Sequence, residues 1–173
     1  LFKMKKIILV AVVALFGFTM NAQDFKVGIN GALPIGDAGD FADFSVGVDA
    51  VYLWNVSEKF DAGIATGFSN AFTKDIEVLG STVEVDDVQF VPIAGTARYN
   101  VSTNFYLGAD LGYAIGINDG NDGGFYYRPR IGYNFSEKVS LNLSYTGVSV
   151  DGGSWDTIGS VAYTHLTLPL KRV

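Results

Sequence analysis

Apolar and small polar residues alternate along most of the chain beyond residue 40, with a period of two positions. The pattern is clearest at 105–118 and 139–149, where Leu, Ile, Val and aromatic residues alternate mainly with Gly, Ser, Asn and Asp. Successive side chains of a β-strand point to opposite faces, so this period predicts strands with one apolar and one polar face. The alternating stretches therefore predict an all-β fold.

A short sequence pattern recurs three times between these stretches. It occupies 54–60, 99–105 and 133–139, and each copy contains an aromatic residue, Asn, an apolar residue and Ser in that order. Asn and Ser side chains hydrogen-bond the nearby backbone in tight turns, so each copy predicts a hairpin. Three hairpins join six strands in pairs, and one further strand fits on each side, which gives eight.

Eight predicted strands cover most of the chain between residues 26 and 164. They lie at 26–35, 41–54, 60–72, 86–99, 105–118, 124–135, 139–149 and 155–164. The other connections are longer loops, at 36–40, 73–85, 119–123 and 150–154. Short turns at one end and long loops at the other predict an eight-stranded antiparallel transmembrane up-and-down β-barrel. Pro92 is awkward within the fourth strand, because proline cannot donate a ladder hydrogen bond.

The composition of the polar face favours the inside of a barrel over a water-exposed surface. This face consists mainly of Gly, Ser, Ala, Asn and Asp, whereas water-facing surfaces usually carry many Lys and Glu residues. The interior of an eight-stranded barrel has room for small side chains and a few long ones. A soluble secreted barrel or sandwich with an apolar core has the same alternation and is the alternative.

Aromatic residues gather where the predicted strands meet the repeated turns. Outer-membrane barrels carry girdles of aromatic residues at the membrane interfaces, and this position is where one belongs. The predicted girdle consists of Tyr52, Trp54, Phe60, Tyr99, Phe105, Tyr133 and Phe135.

The first 22 residues have the features of a secretory signal peptide. Lys5 and Lys6 precede an apolar run at 7–16, and small residues follow up to Ala22. The run is too short for a membrane-spanning helix of about 20 residues. We expect cleavage after Ala22 and interpret residues 1–3, which precede Met4, as upstream translation. The part that follows is predicted to be one domain by its length.

Charge and cysteine content narrow the range of partners and of membrane attachments. The chain carries 12 basic and 18 acidic residues, and the predicted signal peptide contains basic residues but no acidic one. The exported part is therefore strongly acidic, which disfavours nucleic acid as a partner. The absence of cysteine excludes disulfide bonds and a lipid-bearing cysteine. The fold itself is predicted to attach the protein to the outer membrane of a Gram-negative bacterium.

Residues 23–164 resemble a known family of small membrane barrels. The resemblance lies in the Ala22-Gln23 signal exit, the stretch from Phe90 to Tyr99, and the Tyr-Asn-Val/Phe-Ser turns. These features are similar to those of the small outer-membrane β-barrel proteins of the porin-like and OmpX-like type found in Bacteroidetes. The resemblance implies one eight-stranded barrel in the outer membrane, often without an assigned activity.

Residues 165–173 depart from that family, whose last strand would end in an aromatic residue. The segment from His165 to Val173 is instead expected to be a fused or misread end that is not native to the barrel. Such an end would weaken recognition by the barrel-insertion machinery.

Charged residues of both signs fall on the inward-facing positions of the predicted strands. Asp61 and Arg98 have similar depths on neighbouring strands, and so do Asp110 and Arg128. Charges away from water persist when they are paired, so we expect ion pairs that plug the lumen. A selective pore lined by the same charges is the alternative. The full predicted interior charge cluster is Asp49, Asp61, Arg98, Asp110, Arg128 and Arg130.

The sequence offers no convincing catalytic, cofactor or metal site. The only histidine is His165, so no Ser, His and acid set can be assembled within the predicted barrel. Residues 119–123 contain oxygen ligands but lack the downstream Glu of a calcium loop, and an ordinary turn explains them. The acidic second loop is read as a solvated loop, although divalent cations could bridge it to lipopolysaccharide phosphates.

The predicted function is a structural or surface-interaction role in the outer membrane, among its lipids and lipopolysaccharide. No extracellular ligand is specified by the residues. A narrow porin-like channel for small solutes or ions is the alternative, followed by a lipid-modifying enzyme and a soluble secreted binding barrel.

Overall fold

A computed structural model describes residues 23–166. The predicted signal peptide, 1–22, and the segment 167–173 lie outside the described residues. The elements are β1 Gln23–Ile35, α1 Asp37–Phe41, β2 Ala42–Asn55, β3 Phe60–Thr73, β4 Ile76–Val78, β5 Ser81–Val83, β6 Val88–Asn100, β7 Phe105–Gly116, β8 Gly124–Asn134, β9 Val139–Val150 and β10 Gly153–His165. No helix in this part of the chain is long and apolar enough to cross a membrane.

Eight of the strands form one closed barrel. Their order around the ring is β1, β2, β3, β6, β7, β8, β9 and β10, and β10 pairs with β1 to close it. Every neighbouring pair is antiparallel. The predicted eight-stranded antiparallel up-and-down barrel is therefore confirmed, and the strand limits agree with the prediction to within a few residues.

The three repeated sequence patterns form turns of one kind. In each, the backbone N–H of the residue after Asn donates to the carbonyl oxygen of the first residue of the next strand. These bonds are Val56 to Phe60 at 2.9 Å, Val101 to Phe105 at 2.9 Å, and Phe135 to Val139 at 3.0 Å. The three turns lie at one end of the barrel, which we call the short-turn end. The opposite end, with the longer connections, is the long-loop end.

Two elements of the long-loop end were not predicted. Helix α1 lies in the first loop, and β4 and β5 form a separate two-stranded hairpin in the second. The hairpin turns at Leu79 and Gly80, whose φ angles are 52° and 80°. Positive φ at both central residues matches the tight turns of hairpins. Because Leu replaces the usual Asn or Asp there, the residues at this position do not carry the usual turn signal.

Pro92 lies inside β6, at a break in one of its two ladders. The pairing of β6 with β3 jumps from Thr66 opposite Ile93 to Ser69 opposite Phe90, which leaves Pro92 without a partner on that side. On the other side Pro92 is paired with Ala114. The proline therefore occupies an irregular site, where its missing N–H costs no regular ladder bond.

The barrel has an apolar outside and a polar, filled inside. Large apolar side chains are exposed around the outer wall, for example Ile29 at 71% and Leu111 at 59%. Buried inward-facing residues include polar and charged ones, such as Ser45, Asn142 and Ser144. The face that a soluble protein would bury is thus the exposed one.

The close approach of the strands requires glycine at specific positions. A Cβ at Gly63 would overlap the carbonyl oxygen of Tyr52, whereas a Cβ at Gly95 would meet only the Leu111 carbonyl oxygen at 3.9 Å. We expect Gly63→Ala to reduce the free energy of unfolding by about 1–3 kcal/mol, because the neighbouring backbone must move. Gly95→Ala is the matched control on the adjacent strand. Urea unfolding in detergent measures both, and equal effects would contradict this account.

Candidate functional site

Four charged side chains meet in the middle of the barrel and form what we call the central charge cluster. Asp49 comes from β2, Asp110 from β7, and Arg128 and Arg130 from β8. All four are buried, and Asp110 is 0% exposed. They meet because each occupies an inward-facing position near the middle of its strand.

Arg128 is the centre of this cluster. Its Nη1 lies 2.5 Å from Asp49 Oδ2, and its Nε donates to Asp110 Oδ2 at 2.9 Å. Strands β2 and β8 lie on opposite sides of the eight-stranded ring. The pair formed by Arg128 and Asp49 therefore crosses the whole lumen.

Further hydrogen bonds hold the cluster in place. Arg130 Nη1 donates to Asp110 Oδ2 at 2.9 Å, and its Nη2 donates to Thr96 Oγ1 at 2.7 Å. The hydroxyl of Tyr163 donates to Asp49 Oδ2 at 3.0 Å. Two arginines and two aspartates balance in charge, which is what burial of charges requires.

Small residues make room for these long side chains. A Cβ at Gly108 would lie 2.8 Å from Arg130 Nε. The ring of Tyr106 lies directly against Gly132, where a Cβ would overlap it. The absence of a side chain at Gly108 and Gly132 therefore leaves the space that Arg130 and Tyr106 occupy.

The other two predicted cluster members, Asp61 and Arg98, lie nearer the short-turn end. They are directly opposite each other on β3 and β6, but no ion pair joins them within the described residues. Asn100 lies between them: its Oδ1 accepts from Arg98 Nε at 3.0 Å, and its Nδ2 donates to Asp61 Oδ2 at 2.9 Å. The six charges therefore form two layers, and an amide separates the lower pair.

An apolar layer packs across the lumen on the long-loop side of the central cluster. It contains Phe90, Tyr126 and Val148, with Trp155 packed against them. The rings of Phe90 and Trp155 lie 6.3 Å apart. A small cavity of about 60 Å³ separates this layer from Arg128 and Asp49.

A larger cavity lies on the other side, at the short-turn end. Its volume is about 580 Å³, and polar side chains line it, including Lys26, Arg98, Ser140 and His165. His165 belongs to β10, and its Nε2 lies 2.5 Å from Asp24 Oδ1. The first residue of the segment expected to be foreign to the barrel thus takes part in its last strand.

Sequence reasoning missed several inward-facing residues of the site. Tyr163, Thr96 and Lys26 bind or approach the charges, and Trp155 and Phe90 close the lumen. Each occupies an inward-facing position of its strand. The alternation of inward and outward positions along the sequence could therefore have identified them. Lys26 was overlooked because the first strand was expected to begin there, whereas β1 begins at Gln23.

The predicted girdle residues lie at the short-turn end, on the outward-facing positions. Phe60 is paired with Tyr99, and Phe105 with Tyr133, across neighbouring strands. The rings of Tyr52 and Trp54 are 4.9 Å apart, and those of Tyr133 and Phe135 are 5.1 Å apart.

Among residues 23–166, no three His, Cys, Asp or Glu side chains are grouped so that they could hold a metal ion. The predicted oxygen ligands at 119–123 form part of the long-loop end, where Asn121 Nδ2 donates to Gln89 O at 3.1 Å.

Comparisons with known proteins establish the fold. No protein-family model and no curated protein matches the chain. The crystal structure of Ail, the attachment invasion locus protein of Yersinia pestis, has a TM-score of 0.59 and 13% identity, covering 85% of this chain and 100% of Ail. Ail is an outer-membrane protein, also solved in a bilayer nanodisc and with the heparin analogue sucrose octasulfate.

A second similar structure is a de novo designed transmembrane β-barrel. Its TM-score is 0.52 with 13% identity, and the match covers 86% of this chain and 100% of the designed one. At such low identity these likenesses establish the architecture of a small transmembrane barrel and nothing finer.

A double-mutant cycle tests the central charge cluster. We expect Arg128→Ala to lower the free energy of unfolding by about 3–5 kcal/mol, because it leaves the buried Asp49 without an ionic partner and Asp110 with Arg130 alone. Adding Asp110→Ala should cost much less than Asp110→Ala costs alone, since the two groups act together. Unfolding by urea in detergent measures each variant. Additive losses would show that Arg128 and Asp110 are independent.

Proposed function

We propose that this protein resides in the outer membrane of a Gram-negative bacterium, with a closed lumen and a structural or surface-interaction role. In this proposal the predicted signal peptide directs export and the barrel-insertion machinery assembles the strands. Lipids cover the outer wall, and the long-loop end faces outward next to lipopolysaccharide. Origin in the Bacteroidetes remains a prediction of the sequence resemblance.

The apolar outer wall is the observation that supports a membrane location. Leu107 and Leu111 on β7 and Leu141 and Leu143 on β9 are all more than 40% exposed on the outer wall. Exposed apolar surface of this extent is rare on soluble monomeric proteins. Lipid around the barrel would remove the unfavourable contact of this apolar surface with water, whereas a soluble secreted barrel would keep it.

The central charge cluster supports the closed lumen. Arg128 crosses the barrel to Asp49, and Phe90 and Trp155 pack together above them. Ions would have to break buried, hydrogen-bonded ion pairs to pass. A structural role therefore fits better than a channel.

The long-loop end supports an interaction role with a restricted class of partner. Within the described part of this end, Lys74 is the only basic residue. The acidic residues there are Asp37, Asp40, Asp43, Asp75, Glu77, Glu84, Asp86, Asp87, Asp119, Asp122 and Asp151. Such a surface attracts cationic partners and repels sulfated ones. A sulfated ligand like the one bound to Ail is therefore not expected here.

Nothing in the described residues suggests catalysis. His165 and Asp24 lie together at the short-turn end, and no serine hydroxyl is hydrogen-bonded to this histidine. A nucleophile needs such a base within reach. We therefore do not favour a lipid-modifying enzyme.

Placing a charge on the outer wall tests the membrane location. We expect Leu111→Arg, at the middle of β7, to destabilise the barrel in lipid vesicles by about 2–4 kcal/mol. Val101→Arg is the matched control, because Val101 is similarly exposed but lies in a short turn, where the expected cost is about 0–1 kcal/mol. Equal and small effects of both changes would favour a soluble barrel.

Conductance across a planar bilayer tests the closed lumen. The wild-type protein is expected to show no steady ion conductance. Asp49→Ala and Arg128→Ala combined with Phe90→Ala and Trp155→Ala should conduct, because this variant removes both the ion pair that spans the lumen and the large rings of the apolar layer. Asp43→Ala with Lys74→Ala is the control, since it removes an ion pair of 3.5 Å at the long-loop end. Equal conductance of the wild type and the cluster variant would favour the channel.

A further inference from the structure

The cavity at the short-turn end has a charge arrangement that the closed barrel does not explain. Its volume is about 580 Å³, and it is open to solvent. Two buried cations line it, Lys26 from β1 and Arg98 from β6, and they are only 9% and 7% exposed. Buried cations normally lie against carboxylates. The partners of these two therefore decide what the cavity can hold.

Arg98 is held by neutral groups. Its Nε donates to Asn100 Oδ1 and its Nη2 to Asn134 Oδ1, both at 3.0 Å. Its guanidinium carbon lies 3.7 Å from the centre of the Tyr106 ring. Within residues 23–166 no carboxylate lies at ion-pair distance from Arg98, and its Nη1 has no hydrogen bond. Asp61 lies opposite Arg98 on the neighbouring strand β3, but the side chain of Asn100 lies between the two and hydrogen-bonds both.

Lys26 has one carboxylate at ion-pair distance, Asp24, which also lines the cavity and is partly exposed. Its Nζ lies 3.4 Å from Asp24 Oδ2, while the other oxygen of Asp24 binds His165 Nε2. The charge of Arg98 repels Lys26, whereas the charges of Asp24 and Asp61 attract it. In the lining, Glu137 and Lys138 come from a short turn and offset each other. Of the remaining charged lining residues, Lys26 and Arg98 are buried and Asp24 is partly exposed, so the buried wall of the cavity carries a net positive charge.

A hydroxyl completes the set of donors. Ser140 lines the same cavity from β9 and is 4% exposed. Its Oγ has no hydrogen bond to any described residue. A guanidinium, an ammonium and a hydroxyl that face one cavity are the groups that bind oxyanions.

We propose that this cavity binds the phosphate group of a small water-soluble molecule, held by Lys26, Arg98 and Ser140. A phosphate monoester carries about 1.5–2 negative charges at neutral pH, which matches two cations better than a carboxylate does. The cavity exceeds the size of a phosphate ion, so an organic group fits beside it. The lining residues face the lumen and not the outer wall, which favours a soluble molecule over a lipid headgroup.

Titration of the full chain with inorganic phosphate in an uncharged detergent tests this site. Backbone amide NMR shifts near Lys26, Arg98 and Ser140 are expected to saturate with phosphate. Lys26→Gln and Arg98→Gln should each raise the dissociation constant for phosphate at least tenfold. Lys59→Gln is the matched control, because Lys59 lies in a short turn at the same end and does not line the cavity. Its dissociation constant should equal that of the wild type.

Several outcomes would overturn the site. Shifts that sodium chloride reproduces at equal ionic strength would show simple screening, and an equal response to sodium acetate would remove the preference for phosphate. Binding of phosphatidic acid vesicles without binding of inorganic phosphate would show that Lys26 and Arg98 bind a lipid headgroup.

If Arg98→Gln does not fold, Lys26→Gln alone tests the site, with heat-dependent gel mobility as the folding check. The closed lumen is tested by the bilayer conductance of the wild type, which does not depend on phosphate binding. The two proposals can therefore fail independently.

Discussion

Closure of eight strands into one ring is the constraint on which the other features depend. In a closed ring each strand has a hydrogen-bonded neighbour on both sides, so no sheet edge is left to bind another chain. Eight strands also enclose a narrow interior, which side chains must fill. The inside therefore cannot be lined by large residues at every position. Gly108 and Gly132 provide the space in which Arg130 and Tyr106 lie.

The interior charges follow from that confinement. Arg128 reaches Asp49 because the ring brings β8 opposite β2, although the residues are 79 positions apart in the chain. Such a pair contributes to stability only when complete, since either partner alone would be a buried, uncompensated charge. It also links opposite walls of the barrel. The same group thus fixes the relation of distant strands and supports our proposal of a closed lumen.

Charge is distributed unequally along the barrel axis. The central cluster is neutral, and the short-turn end contains both signs, whereas acidic residues dominate the described long-loop end. In our proposals the two ends therefore recognise different chemistry, with cationic partners at the loops and a phosphate group at the opposite mouth. The neutral centre separates them, because Arg128 and Arg130 each lie against a carboxylate while Arg98 lies against amides.

The sequence by itself determined the strands, the three short turns and the outward aromatic positions, because the period of two and the Asn-Ser turns are local properties of the chain. It also indicated that Arg128 and Asp110 lie at one depth, since register follows from the turns. Only the tertiary structure decided that Arg128 also binds Asp49, that Asn100 separates Asp61 from Arg98, and that a hairpin turns at Leu79. These contacts depend on closure of the ring and on side-chain directions across it, which alternation along one strand does not specify.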